Sequence, residues 1–159
     1  MPVITLLTRV KAPIDVVFDL SRSIDLHKIS ISHTKEEAVG GRVSGLIGMG
    51  ESVTWKARHF WVTQYLTSKI TYYNKPYKFT DEMVKGAFKS FKHEHIFTEE
   101  NGQTVMKDVF TYTSPFGILG RVADVLFLKK YMAELLRKRN SSIIEFAEDA
   151  AKYKKILPQ

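Results

Sequence analysis

From Glu51 to Thr113 the sequence keeps a period of two through five successive segments: ESVTWKARH, TQYLTSKITYY, YKFTDEMVK, FKSFKHEHIFTEE and QTVMKDVFTYT. Alternation of this kind gives each strand one apolar and one polar row, and the apolar row must be covered. Turn-forming residues separate the segments, at Asn74 to Pro76, Gly86 and Asn101-Gly102. The expected arrangement is therefore an antiparallel meander, and the rest of the chain has to supply its cover.

Residues 2 to 11 alternate as an opening strand, with Ile4, Leu6, Thr8 and Val10 on one face. Pro13 stops that strand and takes a first-turn position in a helix whose apolar face is Ile14, Val17, Phe18 and Leu20. A second short helix is expected over about residues 23 to 30. The stretch GGRVSGLIGMGE, Gly40 to Glu51, holds five of the nine glycines but has no lysine and no phosphate-loop spacing, so it reads as a flexible loop at the sheet edge. After Ser114-Pro115 the period changes. Apolar residues at 122, 126, 132, 136, 143, 147 and 150 predict one helix of more than thirty residues. A strand, two short helices, a run of antiparallel strands and a long helix make an α+β class, with six or seven strands curling around the last helix and enclosing a cavity.

These features resemble the helix-grip fold of the SRPBCC superfamily, which includes START lipid-transfer domains, the birch-pollen allergen class and bacterial polyketide cyclases or dehydrases. The resemblance covers essentially the whole chain. It rests on the opening strand and Pro13 helix, VTWKARHF (53 to 60), FTDEMVKGAFKSFKHEHIF (79 to 97), DVFTY (108 to 112) before SPFG, and the last helix. The run DEMVKGAF with HEHIF looks like an uncharacterised bacterial, cyclase-like subgroup. The resemblance implies a hydrophobic cargo such as a lipid, sterol, polyketide or quinone, and no metal or other cofactor.

A two-residue turn at Asn101-Gly102 sets a register in which His95 faces Asp108, His93 faces Phe110 and Phe91 faces Tyr112. Phe97 and Met106 share that row, which makes it the inward one and places two histidines and an aspartate among aromatic rings. In the preceding hairpin a three-residue loop sets Asp81 opposite His93 and turns Phe79, Asp81 and Met83 inward; a two-residue loop turns Glu82 inward instead. The first buries Phe79 and Met83 together and is preferred. Val53, Trp55 and Ala57 bring Glu51 and His59 into the inner row of their strand.

Four kinds of chemistry fit these inward polar groups. A carboxylate accepting from an imidazole is a self-satisfied buried network. Polar groups converging in an aromatic cavity orient a ligand. His93-x-His95 with Asp108 and Asp81 has the donor types of a zinc or iron site. His95 oriented by Asp108 is a general base for proton abstraction beside a carbonyl.

The absence of cysteine excludes disulfides, thiolate metal sites and cysteine nucleophiles. MPVITLLTRVKAP lacks the pattern of a signal peptide, and no apolar run is long enough to span a bilayer, so a cytoplasmic location is expected. The net charge of +7 concentrates late in the chain, at Lys129, Lys130, Arg137, Lys138, Arg139, Lys152, Lys154 and Lys155. This reads as a solvated helix face with a basic tail over about 152 to 159, or as a surface for transient contact with anionic lipid. Nucleic-acid binding is not expected, because the aromatics face inward rather than interleaving with the basic residues.

The combined expectation is one helix-grip domain over 1–159 that binds a small to medium hydrophobic molecule. Trp55, Phe79, Met83, Phe91, Phe110 and Tyr112 supply apolar wall, and His59, Asp81, His93, His95 and Asp108 orient its polar groups. Gly40 to Gly50 and Ile24 to Ile31 form a mobile entrance. The alternatives are a cyclase- or dehydrase-like enzyme with His95 and Asp108 as its catalytic pair, and a partner-regulating module with an incidental cavity.

Overall fold

In the computed structural model, which describes residues 1–158, the chain runs β1 (Val3–Val10), α1 (Ile14–Ser21), α2 (Ile24–Ser30), β2 (Glu37–Gly41), β3 (Ser52–His59), β4 (Val62–Asn74), β5 (Lys78–Lys85), β6 (Ser90–Glu100) and β7 (Gln103–Thr113). Helices α3 (Gly117–Ala123) and α4 (Lys129–Ala147) follow, joined by a π turn at Asp124–Leu128, and α5 (Ala150–Ile156) ends the chain. The strands form one seven-stranded antiparallel sheet in the order β1-β7-β6-β5-β4-β3-β2. Only β1 departs from meander order, closing against β7 at the opposite edge from β2.

The β6–β7 hairpin has the expected register, with His95 paired to Asp108 and His93 to Phe110. Asn101 and Gly102 both take positive φ, 53° and 74°, as a type I′ turn requires. In the β5–β6 hairpin Asp81 pairs with His93, so Asp81 rather than Glu82 turns toward the core.

Three local expectations change. Pro13 is the N-cap of α1 with an extended ψ of 145°, one residue outside the helix. Gly40 and Gly41 are strand, not loop: they pair with Thr54 and Val53, and a Cβ on Gly41 would run into the Ser52 carbonyl. The glycines thus let β2 lie against β3. The long helical run is not one stripe. Met132, Leu136, Ile143 and Ala147 face the core, but Val122 and Leu126 are exposed and Ala150 is past the break into α5. The π turn accounts for this, since one extra residue in a turn rotates everything before it by roughly 100° relative to α4. Asp124 takes the inward place there and accepts a hydrogen bond from Ser114 Oγ.

The core divides in two. Phe18 of α1 is fully buried and meets Tyr73, Phe79 and Phe97 edge-on at centroid distances of 5.3 to 5.5 Å. A second cluster gathers Ile4, Phe91, Phe110 and Tyr112 of the sheet under Ala133 and Leu136 of α4. Burying each such large side chain is worth about 1.5–3 kcal/mol. The inward histidines and aspartates lie between the two: His95 stacks on Phe79 at 4.2 Å and His93 meets Phe110 edge-on at 5.3 Å.

Candidate functional site

Between the concave sheet face, α2 and α4 lies a cavity of about 360 Å³. That is within the range of sites for small organic ligands. Among the residues singled out from the sequence, Trp55, His59, Phe79, Asp81, Phe91, His93, His95 and Phe110 line it. Met83 and Tyr112 lie off the wall: Met83 packs with the second core cluster, and Tyr112 is fully buried against Phe88 and Phe110. Asp108 is fully buried behind His93 and His95. Glu51 does not join the inner row; it leaves the strand and pairs with Arg42.

The loop from Gly41 to Ser52 is stitched to the α1–α2 junction rather than free as an entrance. Ile24 N–H donates to the Gly45 carbonyl, Gly45 N–H to the Asp25 carboxylate, and Arg22 Nη1 to the Ile47 carbonyl at 3.1 Å. Ile24, His27, Ile31 and Ile47 are wall. The exposed members of the lining are Phe60, in the β3–β4 turn, and Ala87, in the β5–β6 turn. Both turns lie at the sheet end where β7 hands over to α3, so the cavity meets solvent there. Phe60 packs on Tyr131 and Phe127 at this rim, and Tyr131 hydroxyl bonds to His59 Nδ1 at 2.7 Å. Burial lowers the His59 pKa, so the ring is neutral at physiological pH.

The polar wall centres on Asp108. Its Oδ1 accepts from His93 Nε2 at 3.1 Å and His95 Nδ1 at 2.9 Å, and its Oδ2 accepts from Asn140 Nδ2 at 2.7 Å. Arg139 Nη1 lies 3.5 Å from the same carboxylate and donates to Asn140 Oδ1 at 3.1 Å, while Nη2 donates to the Ser21 carbonyl at 2.8 Å. On the cavity side His95 Nε2 meets Asp81 Oδ1 at 2.9 Å, and His93 Nδ1 is 4.0 Å from it. Five elements, α1, β5, β6, β7 and α4, are tied through this set.

Burial works to raise both carboxyl pKa values, yet the hydrogen bonds from the histidines and the charge of Arg139 outweigh it. Asp81 is held below, and Asp108 well below, the usual carboxylate range. Burial, and next the neighbouring His95, lower His93 to about 4, so it is neutral near pH 7. Tyr112 is held above the ordinary tyrosine range by burial first and then by the Asp124 carboxylate, and stays a neutral phenol.

Arg139 and Asn140 were not read from the sequence as site residues. The charge pattern places Arg139 with the solvated basic face, but it is 8% exposed and lines the cavity. The signal was present in the spacing: both fall on the face of α4 set by Leu136 and Ile143, where a polar residue needs a partner opposite.

No family model matches the sequence, and no curated protein matches it. Solved structures do. The protein TTHA0849 from Thermus thermophilus superposes with a TM-score of 0.72 at 17% identity, over 91% of this chain and 98% of that one. Major latex-like protein 151 from Panax ginseng gives 0.65 at 14% identity over 93% and 98%, and Ara h 8.0201 gives 0.61 at 13% over 91% and 99%. At these identities the likeness is one of fold, and with its curved sheet closed over a long C-terminal helix the chain has the helix-grip fold.

Proposed function

We propose that this protein binds one small to medium hydrophobic molecule, of the lipid, polyketide or quinone kind, in the cavity between the sheet and α4. The observation that carries the reading is a mainly aromatic and aliphatic wall into which a few polar groups converge, the most deeply set being His93, His95 and Arg139 with Asp81 beside them. An apolar cargo with an oxygen-bearing group that reaches this cluster fits such a wall. Native mass spectrometry of protein taken directly from its expression host tests it. A bound species that survives gentle ionisation, and whose retention changes in His95→Ala, is expected; empty protein that also fails to take up an apolar fluorescent dye refutes it.

Loading from an anionic membrane surface belongs to the same reading. At the open end of the cavity Phe116, Ile118, Leu119, Val125 and Leu126 are each at least 72% exposed, with Trp61 at 89% on the facing β3–β4 turn. Arg58, Lys85, Lys89, Arg121, Lys129 and Lys130, all exposed, lie on the strand ends, turn and helices of that same end. Apolar side chains and cations presented together at a cavity mouth match a bilayer with acidic head groups.

A cyclase- or dehydrase-like reaction is the second reading, favoured by Asp108 holding the His95 ring in one orientation at the cavity wall. His95 Nε2 is engaged by Asp81, so the ring acts as a base only after a substrate displaces that contact. Loss of turnover with retained binding in His95→Ala distinguishes an enzyme from a carrier.

A further inference from the structure

Asp108 uses one oxygen, Oδ1, to accept from two imidazoles at once, and from a different atom of each: Nε2 of His93 and Nδ1 of His95. Those bonds fix opposite tautomers. They leave His93 Nδ1 and His95 Nε2 as the two ring atoms on the cavity side, facing the same atom, Asp81 Oδ1, at 4.0 and 2.9 Å. One donor atom from each of the three residues lies within 4.8 Å of the others.

We infer that Asp81, His93 and His95 form a binding site for a divalent first-row transition ion, zinc or ferrous iron, with Asp108 as the buried carboxylate that orients both histidines. Two imidazole nitrogens and a carboxylate oxygen at about 2.0–2.2 Å from an ion in near-tetrahedral geometry stand roughly 3.4 Å apart, and the observed separations bracket that spacing. Metal-binding histidines characteristically pass their remaining N–H to a carboxylate, and here one carboxylate serves both. A self-satisfied network explains the Asp108 bonds but not the inward pair. With His95 Nδ1–H given to Asp108, a neutral His95 has only a lone pair to offer Asp81, and two acceptors then face each other at 2.9 Å. Either an additional proton or a cation must stand between them.

Three protein ligands leave coordination positions open, and these face the cavity, since Asp81, His93 and His95 are all wall residues. Such an ion takes a hydroxyl, carboxylate or enolate oxygen from whatever occupies the cavity. Metal binding goes beyond the cargo reading and does not depend on it.

Protein prepared without a histidine tag and stripped by dialysis against a chelator is titrated with cobalt(II) alone. Visible d–d absorption saturating at one equivalent is expected, reversed by zinc(II); anaerobic competition by iron(II) decides which ion the site prefers. Asp81→Asn is nearly isosteric at a partly exposed position, and His93→Gln removes an imidazole; each is checked by circular dichroism in the metal-free state. Each is expected to weaken cobalt binding at least about 10-fold, the lower end of what loss of even an orienting partner costs. His33→Ala, at an exposed histidine outside the site, is expected to change nothing. Absence of a one-equivalent cobalt complex in the wild type, or unchanged affinity in Asp81→Asn, overturns the inference whatever happens to His93→Gln. Dye uptake by the same stripped protein reports on the cavity separately, so failure of the metal site and failure of the cargo reading are told apart.

Discussion

Replacing Asp108 by Asn keeps the shape of the buried hub and removes its charge. The amide offers one oxygen where the carboxylate offers two. If that oxygen stays on the two histidines, its NH2 points at Asn140 Nδ2, which is itself a donor held at 2.7 Å. Asn140 cannot resolve the clash by flipping, because its Oδ1 accepts from Arg139 and its Nδ2 also donates to Thr8 Oγ1 at 3.1 Å. If the amide turns the other way, its NH2 confronts both imidazole N–H groups. Either way at least one charge-assisted bond is lost in a site where Asp108 is fully buried, and Arg139 loses a carboxylate 3.5 Å away. Breaking a buried ionic set from one side costs about 3–5 kcal/mol. With a urea m-value of about 2 kcal/mol/M, the unfolding midpoint drops by about 2 M. Buried Trp55 supplies a fluorescence signal for the equilibrium titration. Asn140→Ala alone and the double variant complete a cycle in which a coupling of at least about 1 kcal/mol between the two positions is expected. A drop of less than about 1 kcal/mol for Asp108→Asn, or additive effects, would refute the hub as a fixed ionic network.

Ala57→Phe fills the cavity from β3, where Ala57 is buried on the wall; it is expected to abolish uptake of an apolar dye while costing about 1–3 kcal/mol in stability, read by dye titration and urea unfolding. In metal-free protein acid is destabilising. His93 has a folded pKa of about 4 against 6.5 unfolded, so its contribution is complete above pH 6.5 and is lost as pH falls toward 4, by about 3 kcal/mol. Asp81 and Asp108, held below their unfolded values, extend the loss to lower pH, and a urea midpoint that rises between about pH 7 and about pH 4.5 contradicts this sign. Leu119→Glu with Leu126→Glu is expected to reduce cosedimentation with anionic vesicles at least about 10-fold without altering dye uptake; undiminished sedimentation removes α3 from the docking surface.

What could be read from the chain was what local chemistry decides. Asn101-Gly102 allows one tight turn, and that turn fixes every pair up to Phe91 with Tyr112, so the inward histidines and Asp108 were already neighbours on paper. Asp81 followed because the opposite register exposes Phe79. Contacts decided by the helix were hidden. A basic residue on a helix is usually solvated, and nothing local to Arg139 says that a carboxylate from β7 and the Ser21 carbonyl wait beneath it. Strand β2 was masked by its glycines, which lower strand propensity although they permit the close approach to β3. The rim differs for a related reason: glycine content suggests mobility in Gly40 to Gly50, whereas hydrogen bonds across sequence gaps tie that loop to the α1–α2 junction.

The π turn at Asp124–Leu128 gives one helical rod two opposed duties. Beyond it Leu136, Arg139 and Asn140 grip the sheet, and before it Ile118, Leu119 and Val122 look outward. Under the proposed function, a surface that engages the outward end therefore meets the same helical run that carries the partners of Asp108.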